Sequence, residues 1–232
     1  MRCFTLDYKQ FITEIQKYWN LYSKGLKKQA NYSLFEFTKY FKSYVTKSEA
    51  DNILFQFCKE YIDEVKFPDT NLPFQIRELL NHYFFQECKK NKMPQMRWAF
   101  QIFGEYYNTY DTNYENNTYN ILEQAYKHKQ CDPKTVELYF NEQLKYLWWG
   151  QHHFPEYCTI SNSDFEHTIY IANKILSEKS VAPSLIAELE YYIKLYNIYF
   201  MWERNGKTDD FYKLCNTKGI EYQKTIVFYY KK

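Results

Sequence analysis

Apolar residues recur every three or four positions along most of this chain, separated by polar and charged residues. Near the N-terminus the apolar stripe consists of Phe11, Ile12, Ile15, Tyr18, Trp19 and Tyr22. This spacing is that of one face of an α-helix, so it predicts an amphipathic helix from about Asp7 to Lys24, ended by Gly25. Similar stripes follow as far as Asn216 and predict a chain that is mostly helical.

Residues that favour helix N-termini divide these stripes into about nine or ten antiparallel helices. Four Ser or Thr residues stand three positions before a Glu, which is the spacing of a capping box. Four prolines stand where a first helical turn is predicted, and one of them follows Asp132, a favourable N-cap residue. The boxes are Ser33–Glu36, Thr46–Glu49, Thr112–Glu115 and Ser163–Glu166, and the prolines are Pro73, Pro94, Pro133 and Pro183.

The predicted fold class is all-α, either an irregular α-α bundle or a short HEAT-like right-handed array. Most helix starts lie about 20 residues apart, so two neighbours make a hairpin of about 40 residues, the size of one HEAT unit. No linker or low-complexity segment divides the chain, and we therefore predict a single all-helical domain over residues 1–232. The tail from Thr225 to Tyr230 fits either a strand or the end of a buried helix.

Aromatic residues occupy many of the stripe positions. The chain has 26 Tyr, 19 Phe and 5 Trp, but only 5 Gly and 6 Pro. Rings at these positions predict a core built of aromatic contacts, with Phe103, Leu144, Trp148 and Leu189 among the buried residues. Tyr and Phe also have AT-rich codons, so an AT-rich genome alone would raise their number.

Charge and cysteine content restrict the classes of function. Lys and Arg number 30 and Asp and Glu 28, which gives a net charge of +2. A dedicated nucleic-acid binder usually has a strong basic excess, so this balance argues against that class. The first residues contain no apolar run of signal-peptide length, and we expect a cytoplasmic protein without a membrane segment. The six cysteines form no CxxC pair and are predicted to be reduced, with Cys58, Cys88 and Cys215 on apolar helix faces.

One loop gathers several residues that can ligate a metal. His152, His153, Glu156 and Cys158 follow a predicted helix that ends at Gly150. Adjacent histidine side chains diverge, and neither an HExxH nor a CxxC motif is present, so we predict no metal site. The five scattered glycines form no phosphate-binding loop, and no catalytic motif can be identified. We therefore predict no cofactor and no catalytic residue.

Two short basic runs lie beside aromatic rings. Lysines next to exposed rings can contact phosphates while the rings stack on bases. Lysines near the C-terminus of a helix are also favoured by the helix dipole, and we take this as their explanation. The runs are Lys24 to Lys28 beside Tyr22 and Tyr32, and Lys89 to Lys92 beside Phe85.

The predicted partner-binding surface consists of a tyrosine-rich turn, Tyr106 to Tyr114, and the loop from Gln151 to Tyr157. Tyrosine offers a large contact area with a polar tip that tolerates water, and it is enriched in binding sites. In an alternating stack of helices both segments would emerge at the same edge. The predicted binding residues are Tyr106, Tyr107, Tyr110, Tyr114, His152, His153 and Phe154.

These observations favour a non-catalytic protein-interaction module, such as a bacterial immunity or accessory protein that binds one partner. The alternative is a helical-repeat enzyme or nucleic-acid-processing protein whose site is assembled only in the folded chain. A deep pocket with convergent His, Asp or Glu would favour the enzyme, and a broad surface lined by Tyr would favour the binding protein.

Overall fold

A computed structural model describes residues 6–67, 70–104 and 118–222, and over these ranges the chain is helical without strands, which confirms the all-α prediction. None of the described helices is both long and apolar enough to cross a bilayer. The helices are α1 (Tyr8–Ser23), α2 (Lys27–Tyr44), α3 (Lys47–Cys58), α4 (Phe74–Lys89), α5 (Gln95–Phe103), α6 (Thr118–Lys127), α7 (Pro133–Gln151), α8 (Asn162–Glu178), α9 (Pro183–Arg204) and α10 (Phe211–Thr217).

Two of the predicted helix starts are confirmed by their hydrogen bonds. The Thr46 hydroxyl accepts from the backbone N–H of Glu49, and the Glu49 carboxylate accepts from the backbone N–H of Thr46, so α3 begins with a capping box. The Asp132 carboxylate accepts from the backbone N–H of Thr135 at 2.7 Å, with Pro133 in the first turn of α7. Both caps satisfy N–H groups that have no partner within the helix.

Two other predicted starts are wrong. Ser33 lies in the interior of α2, because the buried positions Ala30 and Leu34 carry the apolar stripe back to the turn at Gly25. Ser163 lies inside α8, whose capping box is formed by Ser161 and Asp164 instead. Aspartate at the third helical position accepts the same backbone hydrogen bond that the longer glutamate would accept, so the box starts two residues earlier than predicted.

Residues 1–125 and 126–232 form two compact units. In the first unit the Phe11 ring of α1 lies 5.4 Å from Phe41 of α2 and 5.6 Å from Phe57 of α3, measured between ring centres. Buried residues of α4 and α5 complete this core. The prediction of a single domain stays a prediction, since two compact units can unfold together or apart.

The core of the second unit is built on α9. This helix buries seven residues that together cover about half of its circumference: Leu189, Tyr192, Leu195, Tyr196, Ile198, Tyr199 and Trp202. Phe154 stacks on Tyr199 with ring centres 4.0 Å apart, and Phe165 of α8 stacks on Tyr196 at 4.8 Å. The predicted core of aromatic contacts is therefore present in this unit.

The predicted core positions have mixed outcomes. Leu144 and Leu189 are buried as predicted, and Phe103 is half-buried. Trp148 was predicted to be buried, and this is wrong, because its side chain is 45% exposed. The inward face of α7 passes through Leu147, and the next residue along a helix is turned about 100° away from its neighbour.

A buried ion pair stabilises the first unit. A π-helical turn, Lys59–Asp63, follows α3 and places the Asp63 carboxylate beside α5. Arg97, which is 2% exposed, donates to both oxygens of Asp63 at 2.8 and 3.1 Å. The indole N–H of Trp98 donates to the same carboxylate at 2.9 Å, and Arg97 also donates to Gln101. These bonds fix α5 against the end of α3.

The cysteines within the described ranges are free thiols, and two of them, Cys58 and Cys215, are buried. Burial raises the pKa of the Cys58 thiol well above its usual value and raises the pKa of Cys215 to about 11. We therefore expect iodoacetamide to alkylate Cys215 in the native protein on the order of a hundredfold more slowly than in guanidinium, because the thiolate is the reactive form. Peptide mass spectrometry at pH 8 measures both rates, and equal rates would contradict the buried placement.

Candidate partner-binding site

The C-terminal end of α7 is fixed by a close approach to α9. The hydroxyl of Tyr196 donates to the Leu147 carbonyl at 2.7 Å. This contact requires a glycine at position 150, because a Cβ there would lie 2.0 Å from the Tyr196 oxygen and 2.8 Å from the Ile160 side chain. Gly150, which was predicted to end the helix, therefore lies within α7 and serves its packing.

The loop after α7 is held from both sides. The backbone N–H of Thr159 donates to the Gly150 carbonyl at 3.0 Å, and its hydroxyl donates to the Trp149 carbonyl at 2.9 Å. On the inner side the Tyr222 hydroxyl lies 3.3 Å from the carbonyls of Gln151 and Phe154. These bonds give the loop a defined conformation on the surface of the second unit.

Phe154 requires a correction. It was predicted to contact a partner, but its ring is 1% exposed and stacks in the core against α9. A phenyl ring has no polar tip, so the loop turns it inward while the neighbouring imidazoles stay at the surface. Phe154 therefore holds the loop to the core and is not exposed to a partner.

Five rings form a continuous group outside this loop, and we call them the ring surface: Trp148, Trp149, His152, His153 and Tyr157. Trp148 and Trp149 make an edge-on contact, with ring centres 5.6 Å apart, and both lie beside His152. His152 stacks on His153 at 4.4 Å, and His153 stacks on Tyr157 at 4.5 Å. Each ring therefore has its orientation restricted by its neighbour.

Much of the ring surface is accessible to solvent. Trp148 is 45% exposed, Trp149 is 59% exposed and Tyr157 is 50% exposed, while the two histidines are half-buried. Large apolar rings that are grouped and exposed are typical of binding surfaces, and Trp and Tyr are the residues most often found to dominate binding energy.

The predicted surface included His152, His153 and Tyr157, through the loop from Gln151 to Tyr157, but neither tryptophan. The sequence contained a signal for the tryptophans. One helix face, opposite the buried stripe of α7, carries residues at the helical spacing of three and four: Lys145, Trp148, Trp149 and His152. The apolar stripe of α7 predicts a buried Trp148, because a large apolar indole next to Leu147 is also suited to a core. Tyr157 is brought beside His153 by the loop, and no spacing rule predicts that contact.

A cleft of 560 Å³ between α8 and α9 adjoins the ring surface through Tyr157, which belongs to both. Its walls include Asn162, Glu166, Asn197, Tyr199, Glu203 and Arg204. The Glu203 carboxylate lies 3.3 Å from the ammonium of Lys207, and the Glu166 carboxylate accepts a hydrogen bond from Asn162 at 2.7 Å. The cleft therefore offers carboxylates and amides next to exposed rings.

Two groups near the cleft have shifted pKa values. Hydrogen bonds from the Ser161 side chain and backbone lower the pKa of the Asp164 carboxyl, so that it is charged at neutral pH. Burial raises the pKa of the Cys158 thiol, and the negative charge of Glu203 adds to this effect. A thiol that stays protonated is a poor nucleophile and a poor metal ligand.

Within the described residues, no three His, Cys, Asp or Glu side chains are grouped closely enough to hold a metal ion. The Nδ1 atom of His152 is buried and has no hydrogen-bond partner in the part of the chain that the structure describes. The predicted binding residues Tyr106, Tyr107, Tyr110 and Tyr114 lie outside the described residues.

No protein family, curated protein or solved structure matches this chain. The conclusions about function therefore depend on the side chains of the site and on their charges.

In each basic run of the first unit, one neighbouring ring is covered by a lysine of that run. The ammonium of Lys27 lies 5.3 Å from the centre of the Tyr22 ring, and that of Lys89 lies 4.0 Å from the centre of the Phe85 ring. A ring face occupied by a neighbouring cation is less accessible to a nucleobase. Lys89 lies in the last turn of α4, as the dipole interpretation requires. Lys27 and Lys28 instead begin α2, where the helix dipole disfavours a cation, so the interpretation is wrong for these two residues.

A second cleft, of 610 Å³, lies between α2, α3 and α4 in the first unit. Its floor includes Phe41, Leu54 and Leu79, and its edge carries His82 and Asp51. No serine, threonine or cysteine is found among its described lining residues, so nucleophilic catalysis of the Ser-His-Asp kind has no nucleophile there.

Proposed function

We propose that this protein is a protein-interaction module that binds one partner through the ring surface, as an accessory or immunity protein would. The observation that supports the proposal is the exposure of two adjacent tryptophans in a group of rings whose orientations are fixed. Fixed rings lose little side-chain entropy on binding, so more of the contact energy contributes to affinity.

Codon usage does not account for these two residues. An AT-rich genome raises the number of Tyr and Phe residues at any position that tolerates them. Tryptophan has one codon, TGG, which such a genome disfavours. Two adjacent exposed tryptophans are therefore stronger support for a binding role than any exposed tyrosine is.

Photo-crosslinking tests this proposal. With benzoyl-phenylalanine in place of Tyr157, we expect one discrete covalent adduct in cells of the source organism, because this position is an exposed part of the ring surface. The same residue in place of Tyr170, an exposed ring on α8, is the matched control and should give no discrete adduct. Adding Trp148→Ala and Trp149→Ala should weaken partner binding by about 30-fold, the effect of losing one binding hot spot.

Equal adducts at positions 157 and 170, or no adduct at either, would contradict the proposal. An adduct that survives both tryptophan substitutions would show that a partner binds near Tyr157 without the indoles. A covalent adduct with RNA would favour the nucleic-acid-processing alternative instead.

A further inference from the structure

The chain around the ring surface is acidic. Between Tyr146 and His167 there is no Lys or Arg, and the acidic residues are Glu156, Asp164 and Glu166. Lys145, on the helix face of the two tryptophans, is ion-paired with Glu142. The end of α9 and the turn after it add one acidic residue, Glu203, and two basic residues, Arg204 and Lys207. The total for both segments is then four acidic and two basic residues. Rings beside carboxylates attract a cation and repel the phosphates of a nucleic acid.

Glu166 is the carboxylate of the α8–α9 cleft that has no cation beside it. Glu203 is paired with Lys207, and Arg204, which also lines the cleft, donates to the Phe200 carbonyl at 3.2 Å. Glu166 forms no ion pair with a Lys, Arg or His of the described residues. Its partner is the side-chain amide of Asn162, which leaves a net negative charge on this wall of the cleft. Tyr157, a member of the ring surface, lines the same cleft.

Lys207 shows how a cation is held in this part of the protein. Its ammonium lies 3.3 Å from the Glu203 carboxylate, 5.4 Å from the centre of the Trp202 ring and 5.8 Å from the centre of the Tyr199 ring. A carboxylate and an aromatic face thus hold one cation together. Glu166 and Tyr157 offer the same two kinds of group to a cation that comes from another molecule.

We propose that the partner presents a basic segment and that one of its arginine side chains lies in the α8–α9 cleft, beside Glu166 and Tyr157. Arginine fits better than lysine, because its planar guanidinium can stack on a ring while it donates two parallel hydrogen bonds to a carboxylate. The residues next to this arginine would cover the ring surface. This inference rests on the proposed function, since it names the chemistry of the partner at the same site.

A labelled peptide of alternating glycine and arginine is a direct probe, with a glycine-glutamine peptide of equal length as its control. By fluorescence anisotropy at low ionic strength, we expect the arginine peptide to bind and the glutamine peptide not to bind. Glu166→Gln should weaken binding about threefold to fivefold, the effect of losing a partly exposed ion pair. Glu166→Lys should weaken binding about tenfold or more, because it places like charges together.

Glu190→Lys is the matched control, since Glu190 is exposed near the other end of α9 and its substitution changes the net charge equally. If Glu190→Lys weakens peptide binding as much as Glu166→Lys does, the net charge of the protein alone attracts the peptide, and the proposal is overturned. Equal binding of the two peptides, failure of the arginine peptide to bind, or unchanged binding by Glu166→Lys would also overturn it. If the crosslink at position 157 persists in any of these cases, the proposed function stands and only the arginine assignment fails.

Discussion

Replacing Asp63 with alanine is expected to lower the free energy of unfolding by about 3 kcal/mol or more. The substitution removes the carboxylate that accepts two hydrogen bonds from the buried Arg97 and one from the Trp98 indole. A buried guanidinium that loses its carboxylate keeps the cost of desolvation without the compensating attraction. Denaturation with guanidinium, followed by far-UV circular dichroism, measures the change.

Glu64→Ala is the control for Asp63→Ala. Glu64 is the next residue and is also ion-paired, with Lys59 and Lys66, but at the surface, so its loss should have a much smaller effect. Adding Arg97→Met to Asp63→Ala should restore part of the stability, because the buried charge is then removed as well. No recovery in this double variant would mean that the ion pair is not the source of the loss.

Gly150→Ala is expected to destabilise the protein by about 1–3 kcal/mol, as overpacking in a core does. The new methyl group would lie 2.0 Å from the Tyr196 hydroxyl oxygen, so the Tyr196 side chain or the end of α7 must shift. That movement also displaces the ring surface, and partner binding should weaken together with stability. Thermal unfolding and the crosslinking yield at position 157 measure the two effects.

Tyr196→Phe provides the test of this mechanism. Alone it removes the hydrogen bond to the Leu147 carbonyl, at a cost of about 1 kcal/mol. In this background Gly150→Ala should cost less than in the wild type, because the oxygen that it meets is gone, although Ile160 still lies 2.8 Å away. Strictly additive effects of the two substitutions would contradict the proposed clash.

The helices could be predicted from the sequence wherever a local signal decides them. Thr46 with Glu49 and Asp132 with Pro133 are caps formed by residues within one turn of each other, and both were predicted correctly. Ser33 was a false signal, because a serine three residues before a glutamate also occurs inside a helix. The ion pair of Asp63 and Arg97 could not be predicted, since its partners are 34 residues apart and meet only through the packing of α5.

The site was predicted in part for the same reason. Two adjacent histidines after a helix were a visible feature, and the structure places both in the ring surface. Whether Phe154 and Trp148 are buried or exposed depends on the orientation of α7 and its loop relative to α9. Contacts between distant residues, such as the hydrogen bond from Tyr196 to the Leu147 carbonyl, fix that orientation. Amphipathic spacing identifies the buried face of a helix, but it does not show whether a residue at the edge of that face, such as Trp148, is buried or exposed.

The two buried indoles give each compact unit its own optical reporter. Trp98 lies in the core of the first unit and donates to Asp63, and Trp202 lies in the second and donates to the Asp209 carbonyl at 2.7 Å. Their emission shifts to longer wavelength when water reaches them. Two single-tryptophan variants are needed, one that keeps only Trp98 and one that keeps only Trp202, with phenylalanine at the other tryptophan positions. The emission of each variant then reports the melting of one unit. Coincident melting curves mean one cooperative domain, and separate curves mean two.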